Sequence, residues 1–217
     1  MNFSDFVFKI LTLATIWYKC EGIGRLEKSF IISAERLMKK ILVVIAPGFE
    51  EIETITIVDI LRRAGARVTL GATVKGILKG SRGIKIEPDE LLDNILEKDF
   101  DLICLPGGQP GTDNLKNDKR IEKILKRMQQ DDKYIAAICA APIVLQNAGI
   151  LKDKKITCHP SIKSKFDSYM QDRVVVDDKV ITSQSPGTAM EFSFKLVEIL
   201  FGSERLKKVN DGVLAQI

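Results

Sequence analysis

The chain is poor in the residues that bind metal ions. Its 217 residues include one histidine, and its four cysteines show no close pairing and no metal-ligand spacing. A metal site is therefore not expected, and a globular chain of this size needs no disulfide. We expect reduced thiols, as in a reducing compartment, at Cys20, Cys104, Cys139 and Cys158.

Other absences exclude further classes of protein. The sequence contains no GxGxxG and no P-loop pattern, so no nucleotide cradle is expected. Its 33 basic and 29 acidic residues are scattered and form no dense basic block with interleaved aromatics. Nucleic acid is therefore not an expected partner, and small molecules or other proteins remain.

Residues 1–37 differ from the rest of the chain. The apolar run Phe6–Tyr18 is too short for a membrane span, which takes about 20 apolar residues. A secretory signal is weakly indicated, because Asp5 lies where basic residues belong and no cleavage motif follows. An organelle-targeting extension fits about as well, as does a wrongly assigned start, since Met38 directly precedes the first clear strand. We treat residues 1–37 as an extension and 38–217 as one domain, with the cytoplasm as the expected location.

From residue 39 onward, short β-branched runs alternate with helical patterns, which predicts an α/β domain with a mainly parallel sheet. The predicted strands are Ile41–Ala46, Arg67–Leu70, Asp101–Leu105, the run before Cys139, Lys155–Cys158, Arg173–Val176 and Val180–Thr182. The predicted helices are Glu51–Ala64, Lys119–Gln130, one from Cys139 to about Ala148, Thr188–Leu200 and Ser203–Ala215. Residues 76–87 predict a hairpin, and Thr188 with Glu191 predicts a capping box.

Reactive groups of a parallel sheet gather beyond the carboxyl ends of its strands. Four places in this chain satisfy that rule: residues 48–53, the turn at Gly107 and Gly108, Cys139, and His159 after its predicted strand. The two glycine amides could hold an oxyanion. A plain turn is the alternative.

Cys139 lies in the run Tyr134-Ile-Ala-Ala-Ile-Cys-Ala-Ala-Pro142, which predicts a nucleophile elbow. Small neighbours, here alanines, are needed at such a turn between strand and helix. The helix N-terminus would lower the pKa of the thiol and favour the thiolate. An inert buried thiol is the alternative, and it is the preferred interpretation of Cys104 and Cys158, which lie inside strand-like runs.

Two further side chains could move protons. His159 is the only imidazole, and Pro160 after it favours an extended backbone; a structural or surface role is the alternative. An acidic run opens the first helix, and the helix dipole accounts for Glu50 and Glu51. Glu53 lies at the edge of the apolar stripe, where burial beside a thiolate would raise its pKa and make it a proton donor.

Six motifs follow one another along the chain: Ala46-Pro-Gly-Phe-Glu-Glu-Ile-Glu53, Val58-Asp-Ile-Leu-Arg-Arg-Ala-Gly65, Leu105-Pro-Gly-Gly108, Ala136-Ala-Ile-Cys-Ala-Ala-Pro142, Thr157-Cys-His-Pro160 and Thr182-Ser-Gln-Ser-Pro-Gly-Thr188. Together they resemble the ThiJ/PfpI superfamily, and within it the branch of the Parkinsonism-associated deglycase and the bacterial chaperone YajL. The likeness covers about residues 39–217, in order. No motif would suffice alone, but the ordered set is highly specific.

The resemblance implies a flavodoxin-like three-layer sandwich with a nucleophile elbow, and a homodimer. It implies that Cys139 is the nucleophile and that Glu53 is a protonated carboxyl hydrogen-bonded to it. Gly108 and Ala140 match positions whose amides form an oxyanion pocket. No cofactor is implied.

Two further matches concern the surroundings of the site. His159 matches a nearby histidine, and Arg82 matches an arginine near the dimer interface and the site. PfpI-type proteases place histidine directly after the nucleophile, where this chain has Ala140. Glutamine amidotransferases use a downstream His-x-Glu, but His159 is followed by Pro160 and Ser161. Both of those activities are disfavoured.

Two hypotheses follow. The first is a cofactor-independent cysteine enzyme that detoxifies reactive dicarbonyls, a glyoxalase that converts methylglyoxal to lactate and acts by the same chemistry on glycated proteins or nucleotides. The second is a redox-sensing chaperone whose Cys139 is oxidised to a sulfinate stabilised by Glu53. Both need an activated thiol beside a carboxyl group.

Overall fold

A computed structural model describes residues 38–215. The predicted extension at residues 1–37 lies outside the described residues.

The described residues form nine strands. They are β1 (Lys40–Ile45), β2 (Arg67–Ala72), β3 (Leu78–Lys79), β4 (Lys85–Ile86), β5 (Glu90–Leu91), β6 (Leu102–Leu105), β7 (Tyr134–Ile138), β8 (Val174–Asp177) and β9 (Val180–Ser183). Seven of them form one sheet in the order β5-β2-β1-β6-β7-β9-β8. Its neighbouring strands are parallel except β8 and β9, which are antiparallel. The predicted hairpin is confirmed, because β3 and β4 form a separate antiparallel pair.

Six α-helices and three short 3-10 turns connect these strands. The helices are α1 (Glu51–Arg63), α2 (Gly111–Asn117), α3 (Lys119–Gln130), α4 (Pro142–Asn147), α5 (Ala189–Phe201) and α6 (Ser203–Val213). The 3-10 turns are Leu92–Asn94, Pro160–Lys165 and Pro186–Thr188. The sequence did not indicate α2, which begins within a segment rich in glycine and proline.

The side chains of β1 alternate between two cores, because successive residues of a strand point to opposite faces. Ile41, Val43 and Ile45 pack in the core that includes α1 and α5, whereas Leu42 and Val44 pack in the core that includes α3 and α4. Helices thus cover both faces, as a parallel sheet requires. The central order β2-β1-β6-β7-β9 is the 2-1-3-4-5 order of flavodoxin-like folds, so the predicted fold class is confirmed.

The predicted strand at Lys155–Cys158 is wrong. This segment makes a single bridge, from Ile156 to Tyr169, because β9 already fills the place beside β7. The N–H of Thr157 instead donates to the side-chain oxygen of Thr182, over 2.9 Å. The histidine of the site therefore follows an irregular segment rather than a strand.

The predicted capping box at Thr188 and Glu191 is also wrong. Thr188 directly precedes α5 but makes no side-chain cap for it. Its hydroxyl oxygen accepts the N–H of Ser185 instead, in a capping box one turn earlier. Glu191 pairs with Arg173, Nε to Oε2 at 2.6 Å.

Candidate active site

Cys139 lies at the apex of a sharp turn between β7 and α4. Its φ angle is +64°, in the left-handed region of backbone conformations that residues other than glycine rarely adopt. Two hydrogen bonds hold the turn: the Cys139 N–H donates to the carbonyl of Ser183 over 2.9 Å, and the His159 N–H donates to the carbonyl of Cys139 over 2.8 Å. The backbone at Gly107 lies so close to the elbow that a Cβ on Gly107 would be 2.8 Å from the Cys139 Cβ. This geometry is the nucleophile elbow that the sequence predicts.

Glu53 projects from the first turn of α1 into the protein beneath this elbow. Its side chain is completely buried. Oε2 accepts the N–H of Gly107 over 2.7 Å, whereas Oε1 is buried without a hydrogen bond of standard geometry within the described chain. Glu50 caps α1 and positions Glu53 by accepting its N–H over 2.7 Å. The carboxyl group is thus held at one oxygen, with the Cys139 side chain within hydrogen-bonding reach.

The surroundings of Glu53 favour its neutral form. Burial raises its pKa to about 7, and the negative charge of Glu50 acts in the same direction. Hydrogen bonds with Gly107 and Cys139 oppose this effect without overcoming it. The direction agrees with the expectation from the sequence.

The pKa of the Cys139 thiol is raised, which is opposite to the direction expected from the sequence. Burial is the largest cause, followed by the charge of an ionised Glu53 and the hydrogen bond to it. The N–H of Ala140 acts in the opposite direction and favours the thiolate, but it does not outweigh these effects. The two acids are coupled, so the pair loses one proton near pH 7 and holds the second tightly.

The two glycines of the predicted oxyanion turn have different roles. The Gly107 N–H is bonded to Glu53 and is therefore not free to bind an oxyanion. The Gly108 N–H has no hydrogen-bond partner among residues 38–215. Gly108 has φ +93°, and a Cβ there would lie 2.5 Å from the backbone nitrogen of Glu50, so only glycine fits. The Gly108 amide is thus a free donor, whereas the Ala140 amide donates to the Cys139 thiol.

His159 is half-buried next to the elbow. Its Nδ1 accepts the N–H of Ser161 over 3.2 Å and lies 2.8 Å from the Ser161 hydroxyl. A backbone N–H can only donate, so the neutral ring carries its proton on Nε2. His159 therefore offers a hydrogen-bond donor from Nε2, and its part in catalysis stays a prediction.

Arg82 lies at the exposed tip of the β3–β4 hairpin. Its backbone N–H donates to Oε1 of Glu51 over 2.6 Å. Glu51 is buried and also accepts from Ser81 and Ile84, which the sequence did not indicate. No local feature of the sequence indicates that Glu51, at the start of α1, contacts a hairpin tip some thirty residues later.

The other two described cysteines lie in the core. Cys104 and Cys158 are completely buried and unpaired. Burial raises the pKa of both thiols, that of Cys158 to about 11. Their predicted role in the core agrees with this, although Cys158 lies outside any strand.

The described chain offers neither a metal cluster nor a membrane-crossing segment. No group of three or more His, Cys, Asp or Glu side chains within residues 38–215 could hold a metal ion. None of the helices in that range is long and apolar enough to cross a bilayer.

A cleft of about 490 Å³ opens beside Pro47, but its lining includes Thr73, Asn114 and Arg120 and not the elbow.

The structure thus places a cysteine on the elbow of a doubly wound α/β sheet, beside a buried carboxyl group. The chain belongs to the DJ-1/PfpI family, which matches residues 39–199. The resemblance found in the sequence is thereby confirmed.

Curated relatives share this family. Protein DJ-1 homolog B of Arabidopsis thaliana is 42% identical over 191 residues, covering 85% of this chain and 44% of the relative. Glutathione-independent glyoxalase DJR-1.2 of Caenorhabditis elegans is 40% identical over 172 residues, covering 77% of this chain and 91% of the relative. The chain thus spans less than half the length of the Arabidopsis relative.

Solved structures share the fold. Drosophila melanogaster DJ-1beta superposes with a TM-score of 0.80 at 40% identity, covering 82% of this chain and 98% of that one. Oxidized Toxoplasma gondii DJ-1 superposes with a TM-score of 0.79 at 37% identity, covering 81% of this chain and 98% of that one.

Proposed function

We propose that this protein is a glutathione-independent glyoxalase that converts methylglyoxal or glyoxal to lactate or glycolate. The observation that carries the proposal is the fully buried Glu53 carboxyl, with a pKa of about 7, within hydrogen-bonding reach of the Cys139 thiol. Such a pair can supply a nucleophile and a proton donor at neutral pH. The 40% identical Caenorhabditis elegans relative carries the name of this activity.

The reactive form of the pair has its negative charge on sulfur and its proton on Glu53. Gly107 occupies Oε2, so Oε1 is the oxygen that carries the proton and donates toward Cys139. Once Glu53 is neutral, its charge no longer opposes the thiolate, and the Ala140 N–H favours it. One proton shared by two acids thus activates the sulfur without a histidine base.

The reaction begins when the Cys139 thiolate adds to the aldehyde carbon of methylglyoxal and forms a hemithioacetal. The amides of Gly108 and Ala140 bind the oxygen that becomes negative. Glu53 gives and takes the protons that move hydrogen from the first to the second carbon through an enediol, and Nε2 of His159 donates to an oxygen of that intermediate. Water then hydrolyses the lactoyl thioester, releasing lactate and regenerating the thiol, so methylglyoxal and one water yield one lactate.

The substrate is small. The Cys139 residue is only 9% exposed, which admits a three-carbon aldehyde more readily than a large ligand. Deglycation is the extension of the same chemistry to hemithioacetals and aminocarbinols that dicarbonyls form on exposed side chains or nucleotides.

The three described cysteines are unpaired, which supports a reducing compartment such as the cytoplasm.

We propose that the protein is a homodimer through an apolar face on α1 and the hairpin. Ile52 and Ile55 lie three residues apart on α1 and are 58% and 50% exposed. Ile84 on the hairpin is 57% exposed, and its N–H donates to Glu51, so it lies beside them. Exposed apolar side chains grouped in this way favour a partner, and Arg82 lies on the same hairpin as Ile84.

The test is lactate formation from methylglyoxal in the absence of glutathione. We expect turnover by the unmodified protein, none by Cys139→Ala, and at least a hundredfold loss of kcat in Glu53→Gln. Turnover that persists at the unmodified rate in Cys139→Ala contradicts the proposal. The same variant tests the redox-sensing chaperone, which stays a prediction: holdase activity that survives the substitution and ignores peroxide contradicts it.

A further inference from the structure

Glu51 is a buried acid that the reaction does not use. The residue is only 3% exposed, although it is the first residue of α1. Oε1 accepts the N–H groups of Arg82 and Ile84 over 2.6 and 3.3 Å, and Oε2 accepts the Ser81 hydroxyl over 3.1 Å. Gly80 makes room for it, since a Cβ there would lie 2.4 Å from Oε1.

The hairpin keeps this carboxyl group ionised. Burial acts to raise the pKa of Glu51, but hydrogen bonds from the Arg82 N–H, Ser81 and Ile84 outweigh it, and the pKa is lowered. The helix N-terminus adds a favourable dipole. A buried carboxylate held by three donors of one hairpin fixes that hairpin rigidly to α1.

The hairpin in turn holds the loop that precedes α1. The Gly48 N–H donates to the carbonyl of Lys79 over 2.9 Å, and the Ser81 N–H donates to the carbonyl of Phe49 over 2.8 Å. Residues 48–50 therefore have the hairpin on one side. Their position depends on where Glu51 keeps the hairpin.

The oxyanion turn lies on the other side of the same loop. The Glu50 N–H donates to the carbonyl of Gly107 over 2.9 Å. A Cβ on Gly108 would lie 2.6 Å from the carbonyl oxygen of Gly48 and 2.6 Å from the carbonyl carbon of Phe49. The backbone of residues 48–50 is packed directly against Gly108, so a shift of residues 48–50 moves the Gly108 amide.

We propose that Glu51 is a positioning residue: by fixing the β3–β4 hairpin to α1, it holds residues 48–50 against the turn at Gly107 and Gly108 and so aims the Gly108 amide at the Cys139 site. This inference rests on the proposed function for its kinetic readout. The oxyanion exists only after the thiolate has added, so displacing the amide lowers kcat and leaves KM nearly unchanged.

Two substitutions displace the carboxylate by different routes. Glu51→Ala removes it, whereas Gly80→Ala leaves it in the chain and pushes it out of its place. Gly80 does not have a left-handed backbone, so alanine there introduces no φ strain. The matched control is Gly212→Ala on α6, where a Cβ would meet nothing within 4 Å. Met128→Ala on α3 lies in the core that includes α3 and α4, and it controls for a general loss of stability.

The measurements are kcat and KM for methylglyoxal, the thermal midpoint, and hydrogen exchange of residues 105–112. We expect Glu51→Ala and Gly80→Ala each to lower kcat about tenfold or more, with KM within about threefold, and to speed exchange in 105–112. In the double variant, adding Gly80→Ala to Glu51→Ala should lower kcat no further, because the carboxylate that Gly80→Ala displaces is already absent. Both controls should keep kcat, and Met128→Ala should do so despite its lower midpoint.

Faster exchange confined to residues 79–84, with kcat unchanged in both variants, overturns the inference, as does additivity of the two substitutions. If the unmodified protein does not turn over methylglyoxal, the proposed function fails by itself. Exchange in 105–112 then still decides the positioning role, since it requires no substrate.

Discussion

The N–H of Gly107 donates to Oε2 of Glu53 over 2.7 Å, joining residues 54 positions apart in the chain. This bond takes Gly107 out of the oxyanion pocket and gives the buried carboxyl a fixed orientation. It leaves Oε1 as the oxygen that can carry a proton toward Cys139. The acid–base behaviour of the site follows from that arrangement, and the first two predictions test it.

The Cys139–Glu53 pair should titrate near pH 7. Above that pH the pair carries one negative charge, so alkylation of Cys139 by iodoacetamide should rise with pH through a midpoint near 7. In Glu53→Gln the thiol must ionise alone in its buried position, and the midpoint should move above about 8.5, the ordinary cysteine value. Alkylation at pH 7 should then fall at least tenfold. Equal midpoints in the two proteins would refute the coupling, and peptide mapping separates Cys139 from the other thiols.

Glu53 should also make stability depend on pH. Its pKa is raised in the folded protein from 4.5 to about 7, so the folded state binds the extra proton and stability falls as pH rises through this window. The cost is absent below pH 4.5 and complete above pH 7, where it amounts to roughly 3 kcal/mol. Urea unfolding of Glu53→Gln between pH 4 and 8 should lack this fall. The idea fails if the stability difference between the two proteins is constant over that range.

Gly108→Ala should damage both the fold and the site. The added Cβ would lie 2.5 Å from the Glu50 nitrogen, and the backbone has φ +93°. Gly149→Ala is the matched control, because it has φ +78° but nothing within 4 Å of a Cβ. Gly149→Ala should lose about 1–3 kcal/mol of stability through backbone strain, and Gly108→Ala should lose more because its Cβ also meets backbone atoms. Only Gly108→Ala should lose kcat, by at least tenfold, and an equal loss in Gly149→Ala would contradict the placement of the pocket.

The apolar face on α1 and the hairpin should control the oligomeric state. Ile52→Lys together with Ile84→Lys places two charges on that face and should convert a dimer into monomers in sedimentation equilibrium. Val176→Lys is the control, since Val176 is 45% exposed on β8, outside that face. A dimer that persists in the double variant, or a monomeric unmodified protein, would contradict the proposed interface.

Periodicity predicts the large elements of this fold because each is decided locally. The helix at Lys119–Gln130 has the same bounds in the sequence and in the structure. The strand predicted at Lys155–Cys158 fails for a non-local reason: β9 has already taken the place beside β7. An apolar run alone does not reveal which run a sheet will accept.

The candidate site divides in the same way. The elbow at Cys139 can be predicted, since its small neighbours and the following proline are local features. The bond from Gly107 to Glu53 cannot, because either glycine of the turn could supply an amide. The burial of Glu51 also depends on a distant hairpin, and the upward shift of the Cys139 pKa depends on burial that no local pattern measures.

The most direct test of the central claim is acid-quenched mass spectrometry of the protein during turnover of excess methylglyoxal without glutathione. We expect a three-carbon acyl adduct on Cys139 that forms and decays with the rate of lactate release, is greatly slowed in Glu53→Gln and is absent in Cys139→Ala. Lactate release with no adduct on Cys139, or an adduct of equal rate in Glu53→Gln, would contradict it.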